Sequence, residues 1–169
     1  MKNKSDNIIL IGMPGVGKSS IGVVLAKILG YEFVDTDLVI QKTEKRLLCE
    51  IIAEEGKDGF LAIENKINSR LEADHCVIAP GGSAVYGKEA MEHFREIGTV
   101  IYLKVSYREL SRRLGDLKGR GVVLKEGQTL EDLFRERSVL YQKYADLTVD
   151  EENKDIRETL QEILGLLTR

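Results

Sequence analysis

The sequence lacks the marks of several whole classes of protein. It has two cysteines, Cys49 and Cys76, with no CxxC spacing, and a lone histidine, His75, beside the second. That excludes a disulfide framework and argues against a zinc site. Cys76 sits in the apolar run Cys76-Val77-Ile78-Ala79 and reads as a buried structural thiol. Cys49, beside Leu48 and Ile51, reads as part of a helix. No stretch is long and apolar enough to span a bilayer. The first apolar run follows a short polar start and ends in a glycine loop, so it does not fit a secretory leader, and a cytoplasmic location is expected. Nor is there charge of one sign. Acidic residues number 28 and basic residues 25, a net charge of -3, so bulk charge gives no reason to expect nucleic acid or an anionic membrane as partner. Repeats, low-complexity stretches and proline-rich linkers are missing too. One domain over residues 1–169, acting as a monomer, is the simplest expectation.

What is present is an alternation of strand-like and helix-like segments. Ile8-Ile9-Leu10-Ile11 is a continuous apolar run of the kind buried on both faces of a parallel sheet. Ser20 to Leu29 follows at helical spacing, with Ile21, Val24, Leu25 and Ile28 on one face and Gly30 as a stop. Glu32 to Val34, Cys76 to Ala79, Thr99 to Leu103 and Leu147 to Val149 read as four more strands. Helices are expected over about residues 38–73, interrupted at Gly56-Lys57-Asp58-Gly59, over Lys88 to Glu96, and from Ser106 to Leu114. Two more are expected over Thr129 to Tyr144, with Asp132 in the capping-box position, and over Asp155 to Thr168. In the last, Ile156, Leu160, Ile163, Leu164 and Leu167 share a side. Gly115 to Gly127 holds four glycines and several charges and reads as an exposed, mobile loop. The alternation predicts an α/β fold with a parallel sheet covered on both faces.

The strongest motif is Gly12-Met13-Pro14-Gly15-Val16-Gly17-Lys18-Ser19, a P-loop between a strand and a helix. Glycines let backbone N–H groups converge on phosphate, and the helix N-terminus points its dipole at the same place. Lys18 adds a positive charge for the β- and γ-phosphates, and the Ser19 hydroxyl is a Mg²⁺ ligand in this motif. Gly12, Gly15, Val16, Gly17, Lys18, Ser19 and Ser20 are therefore the candidate nucleotide contacts. No Asn-Lys-x-Asp segment reads guanine, and the strand ending in Ala79-Pro80 supplies no aspartate for the metal.

Asp35 and Asp37 supply carboxylates elsewhere. Residues two apart in an extended segment share a face, so both can point into a site at the strand end. One suits Mg²⁺ through water; the other suits a substrate hydroxyl, to orient or deprotonate it. A pair of turn and cap residues is the competing reading. Pro80-Gly81-Gly82-Ser83 is a second glycine turn, open to a close approach by substrate or to service as a plain turn. Arg112, Arg113, Lys118 and Arg120 cluster around the glycine-rich loop, where a closing lid can bring a cation to a transferring group.

Taken in order along nearly the whole chain, these residues resemble the shikimate kinase family. The resemblance implies a P-loop fold like that of the nucleoside monophosphate kinases: a three-layer sandwich around a five-stranded parallel sheet. It implies substrate-binding helices over about residues 38–73 and a lid over about 115–127. It also implies ATP as co-substrate, Mg²⁺ as cofactor, and a small hydroxylated acceptor phosphorylated at the 3-hydroxyl of shikimate, a step of aromatic amino-acid biosynthesis. Phe33-Val34-Asp35-Thr36-Asp37 resembles the family's Asp-x-Asp, which implies Asp35 for the metal and Asp37 for the shikimate hydroxyls. Gly81 and Gly82 match glycines beside the substrate, Arg113 an arginine packed on adenine, and Arg120 the lid arginine that reaches phosphates and substrate. Arg137 to Tyr141 resembles Arg-x-x-Leu-Tyr, whose arginine pairs with the shikimate carboxylate. By this resemblance Lys18, Asp37 and Arg120 carry the chemistry.

The acceptor side departs from the pattern. Where the family has Gly-Glu-x-x-Phe-Arg-x-x-Glu, this chain reads Gly56-Lys57-Asp58-Gly59-Phe60-Leu61-Ala62-Ile63-Glu64, with Leu61 in place of a substrate-anchoring arginine. Ser83 replaces a third glycine, and Arg120-Gly121-Val122-Val123 replaces Arg-Pro-Leu-Leu in the lid. Losing a charge-assisted bond weakens binding by about 1.5–3 kcal/mol. Three alternatives therefore stand beside the main reading. They are a paralogous kinase for a sugar acid or hydroxy amino acid, a non-catalytic nucleotide-binding module, and a nucleoside monophosphate kinase.

Overall fold

Five short runs of β-branched and aliphatic residues build the sheet in the computed structural model, which describes residues 6–115 and 124–169. They are β1 (Asn7–Ile11), β2 (Glu32–Asp35), β3 (Cys76–Ala79), β4 (Gly98–Lys104) and β5 (Leu147–Asp150). All pair in parallel, in the order β2-β3-β1-β4-β5. Every residue of β1 and β3 is buried, as a central parallel strand requires. The helices are α1 (Lys18–Leu29), α2 (Thr36–Glu44), α3 (Leu48–Asn68), α4 (Lys88–Ile97), α5 (Tyr107–Leu114), α6 (Leu130–Tyr144) and α7 (Ile156–Leu167). A short 3-10 helix at Gly82–Tyr86 follows β3. The caps read from sequence are present: Ser106 accepts from Glu109 N–H, and Thr129 and Asp132 close a capping box.

The strand order positions the site. The chain leaves β1 toward β2 on one side and reaches β4 on the other, so ligands belong at the carboxyl ends around β1. Asp35 is in register with Ala79, so the ends of β2 and β3 leave the sheet side by side.

Two helix faces differ from the sequence expectation. In α1, Ile21 and Leu25 are buried, but Val24 is 41% exposed and Ile28 53% exposed. Gly22 and Ala26 take their place, because Gly22 packs on Phe33 so closely that a Cβ would lie 2.6 Å from its ring. The helix thus seats its small face on the sheet and turns the larger side chains out. In α7, Leu160 and Ile163 are buried while Ile156, in the first helical position, is exposed.

The segment between β2 and β3 has its own small core of Ile40, Ile51 and Phe60, joined by Leu48, Ile52, Leu61, Ile63 and Ile67. The expected break in α3 narrows to a single residue. Gly56 has φ 73° and ψ 178°, a conformation essentially confined to glycine, and the helix bends there.

Candidate active site

A cavity of about 830 Å³ lies where the strand ends meet. It is lined by Gly15, Gly17, Lys18, Ser19 and Ser20 of the P-loop, by Asp35 and Asp37, by Gly81, Gly82 and Ser83, and by Arg137. Lys57, Phe60 and Leu61 of α3 complete it. Residues from five separate segments thus face one space, and most of those singled out in the sequence are among them.

The P-loop wraps between β1 and α1, with Gly15 at φ 86° and Gly17 at φ 89°. Lys18 Nζ donates to the carbonyls of Gly12 at 2.8 Å and Met13 at 2.9 Å. Burial and the nearby Arg137 charge lower its pKa to about 8, against the attraction of Asp37, Glu151 and Asp35. Val16 plays a different part from its neighbours. Its side chain is buried in the main core, so only its backbone is available to a nucleotide, and its N–H donates to Met13 O at 3.4 Å. Ser19 and Ser20 are exposed to the cavity.

Asp35 and Asp37 do not lie on one extended segment. Asp35 ends β2 and caps α2, accepting from Asp37 N–H at 2.9 Å, while Asp37 is in the first helical turn. The capping role and the cavity position are therefore both real. Burial raises the Asp37 pKa, the Asp35 carboxylate raises it further, and Lys18 opposes them.

The second glycine turn is a close-packed junction. A Cβ on Gly82 would lie 2.8 Å from Pro14 Cδ and 2.9 Å from Arg137 Nη1. A Cβ on Gly81 would lie 3.0 Å from Asp37 Oδ1 and 3.3 Å from Glu64 Oε2. Any side chain at these positions would fill the space between the P-loop, Asp37 and Arg137. Tyr141 fixes the junction from α6: its hydroxyl donates to Gly82 O at 2.6 Å, and its ring stacks on Tyr102 with centroids 5.2 Å apart. Arg137 is buried on the same helix, donates to Tyr86 Oη at 3.4 Å and lies over the Tyr86 ring.

Arg113 lies apart from the main cavity. It borders a shallower hollow beside Gly15, Gly17 and Ser20, with Glu151 and Lys154, and is paired with Glu109 at 2.9 Å and Glu151 at 3.5 Å. Burial raises Glu151 to about 7. Arg112 is paired with Glu109 on the exposed side of α5. Lys118 and Arg120, and most of the expected lid, lie outside the described residues.

Two residues were missed in the sequence. Glu64 is buried, with burial raising its pKa to about 7; Ser83 Oγ donates to its Oε1 at 2.7 Å, while Oε2 has no hydrogen-bond partner among the described residues. Ser83 therefore turns its hydroxyl to Glu64. Lys57 lines the cavity, with its Nζ buried and without a hydrogen-bond partner among the described residues. The only sequence signal for it was a lysine where the resembled pattern has glutamate.

A model of the shikimate kinase family matches residues 14–168. Shikimate kinase 2 of Yersinia enterocolitica is 34% identical, over 96% of this chain and 96% of that protein. Shikimate kinase 2 of Yersinia pseudotuberculosis is 36% identical over 86% of this chain and 87% of its own. Among solved structures, shikimate kinase from Acinetobacter baumannii in complex with shikimate superposes with a TM-score of 0.87 at 31% identity, covering 97% of this chain and 93% of that one. A gluconokinase from Sinorhizobium meliloti, with TM-score 0.58 and 19% identity, shares the fold alone. A P-loop, a strand-end carboxylate pair and a buried arginine meeting in one cavity agree with what these comparisons say, and the chain belongs to the shikimate kinase family.

Proposed function

We propose that the protein transfers the γ-phosphoryl group of ATP to the 3-hydroxyl of shikimate. The observation that carries this reading is the convergence of Lys18, Asp37 and Arg137 on one cavity of a chain in this family. Lys18, on the P-loop, is placed to hold phosphate oxygens and to offset charge that develops on the transferring group. Asp37 faces the same space, and its raised pKa makes it a better proton acceptor for the attacking hydroxyl. Arg137 offers a fork of donors to a carboxylate at the far side of the acceptor. Arg113 borders the hollow on the other side of the P-loop and is assigned to the base of the nucleotide. Arg120 is assigned to the phosphates from the lid.

Ser19 and Asp35 line the cavity together and offer a hydroxyl and a carboxylate oxygen. Hard oxygen donors in small number suit Mg²⁺, which keeps several waters and takes the rest of its ligands from phosphates. Bound there, the ion would neutralise charge on the β- and γ-phosphates. Among the described residues no helix is long and apolar enough to cross a membrane.

Purified protein assayed with ATP, Mg²⁺ and a panel of acceptors tests the proposal. Shikimate is expected to give the highest kcat/KM. Turnover of a sugar acid, a hydroxy amino acid or a nucleoside monophosphate with none of shikimate would overturn it.

A further inference from the structure

Leu61 leaves the acceptor end of the cavity without an arginine that the family pattern supplies, and Lys57 stands one helical turn before it on α3. Residues four apart share a helix face, and both line the cavity. The bend at Gly56 makes Lys57 the first residue of the second helical stretch. Its Nζ is buried and has neither a hydrogen-bond partner nor an ion pair among the described residues. The charges it feels most are cations: Lys125 and Arg137 both push its pKa down, after burial itself, and Glu136 and Asp58 offset them only in part. Arg137 lies across the same cavity, buried, with a neutral phenol as its neighbour. Asp35 and Asp37 line the same cavity, but Lys57 Nζ reaches no carboxylate among the described residues, and a desolvated cation beside a second one is costly unless an anion joins them.

We propose that Lys57 is an acceptor-binding residue that, together with Arg137, holds the carboxylate of the acceptor in place of the charge missing at Leu61. The inference rests on the proposed acceptor carrying a carboxylate, as shikimate does. Lys57 offers the cavity an ammonium on a flexible stem, while the apolar Leu61 side chain packs with the small α2–α3 core. Selectivity then falls on acceptors whose carboxylate lies between α3 and α6.

Calorimetric titration of the full chain with shikimate and with its methyl ester tests this, using the unsubstituted protein, Lys57→Met and Lys57→Arg. Lys57→Met is expected to weaken shikimate binding about tenfold or more, with ATP binding unchanged. Lys57→Arg is expected to stay within about threefold of the unsubstituted protein. The ester, which has no charge to pair, is expected to bind the unsubstituted protein and Lys57→Met equally weakly. Four results would overturn the assignment: no effect of Lys57→Met on shikimate, an equal loss for acid and ester, a parallel loss of ATP binding, or Lys57→Arg as weak as Lys57→Met. If the unsubstituted protein binds no shikimate, the proposed acceptor itself falls, and this inference with it.

Discussion

The nucleotide end and the acceptor end of the cavity rest on different foundations. The P-loop springs from β1, every residue of which is buried, and packs through Val16 into the main core. The acceptor end rests on α2 and α3, held by a separate cluster of three buried residues and bent at Gly56. At the nucleotide end the chemistry is contiguous: one loop supplies the glycines, the lysine and the hydroxyls. At the acceptor end it is assembled from α2, α3, the glycine turn that opens the 3-10 helix, and α6. Phosphate is a fixed ligand, and one rigid loop serves it. An acceptor is recognised by charges spaced several ångströms apart, and those can be moved from one position of a helix to another, as we propose for Leu61 and Lys57.

Substitutions at the two ends should separate cleanly. The largest effect is expected at the nucleotide end, where Lys18→Met removes the charge proposed to face the transferring group. A fall of about 10³ in kcat is expected, read in a steady-state assay with both substrates saturating. Asp37→Asn should come next, lowering kcat about 10²-fold by loss of the proposed proton acceptor, with little change in ATP affinity. Arg137→Met is expected to raise the KM for shikimate about tenfold to a hundredfold, as loss of a charge-assisted pair implies, and to leave the KM for ATP alone. A parallel rise in both constants would break the division between the two ends.

The smallest effect is on stability and belongs to the acceptor end alone. Burial raises Glu64 from 4.5 to about 7. Between those values the unfolded chain releases a proton that the native state keeps, so stability falls as pH rises through that window. Glu64→Gln removes this penalty. Its melting temperature is expected to exceed that of the unsubstituted protein by a few degrees at pH 8, in order-of-magnitude terms (roughly 2–6 °C), and by less at pH 5. Glu151, also raised to about 7, leaves part of the pH slope in both proteins.

The same contrast decides what the sequence made legible. The five parallel strands, the caps at Ser106 and Thr129, and the P-loop were readable because each signal is local: a run, a cap residue, a glycine spacing. The buried face of α1 was only half readable, since apolar spacing cannot see that Gly22 lets Phe33 approach and turns Val24 and Ile28 outward. Asp35 and Asp37 were found as a pair, but the extended geometry assumed for them gave way to a cap and a first helical turn. Glu64 and Lys57 escaped notice because their meaning lies in what they face across the fold. Ser83 gives Glu64 one partner, and Arg137 gives Lys57 none.

The central claim is that the two ends act together to phosphorylate shikimate, and phosphorus NMR of a reaction mixture tests it most directly. With ATP, Mg²⁺ and shikimate present, the account predicts a phosphate monoester resonance coupled to the proton at the 3-position, growing in step with ADP and absent with Lys18→Met. Release of ADP and inorganic phosphate with shikimate unchanged, or no consumption of ATP at all, would contradict it.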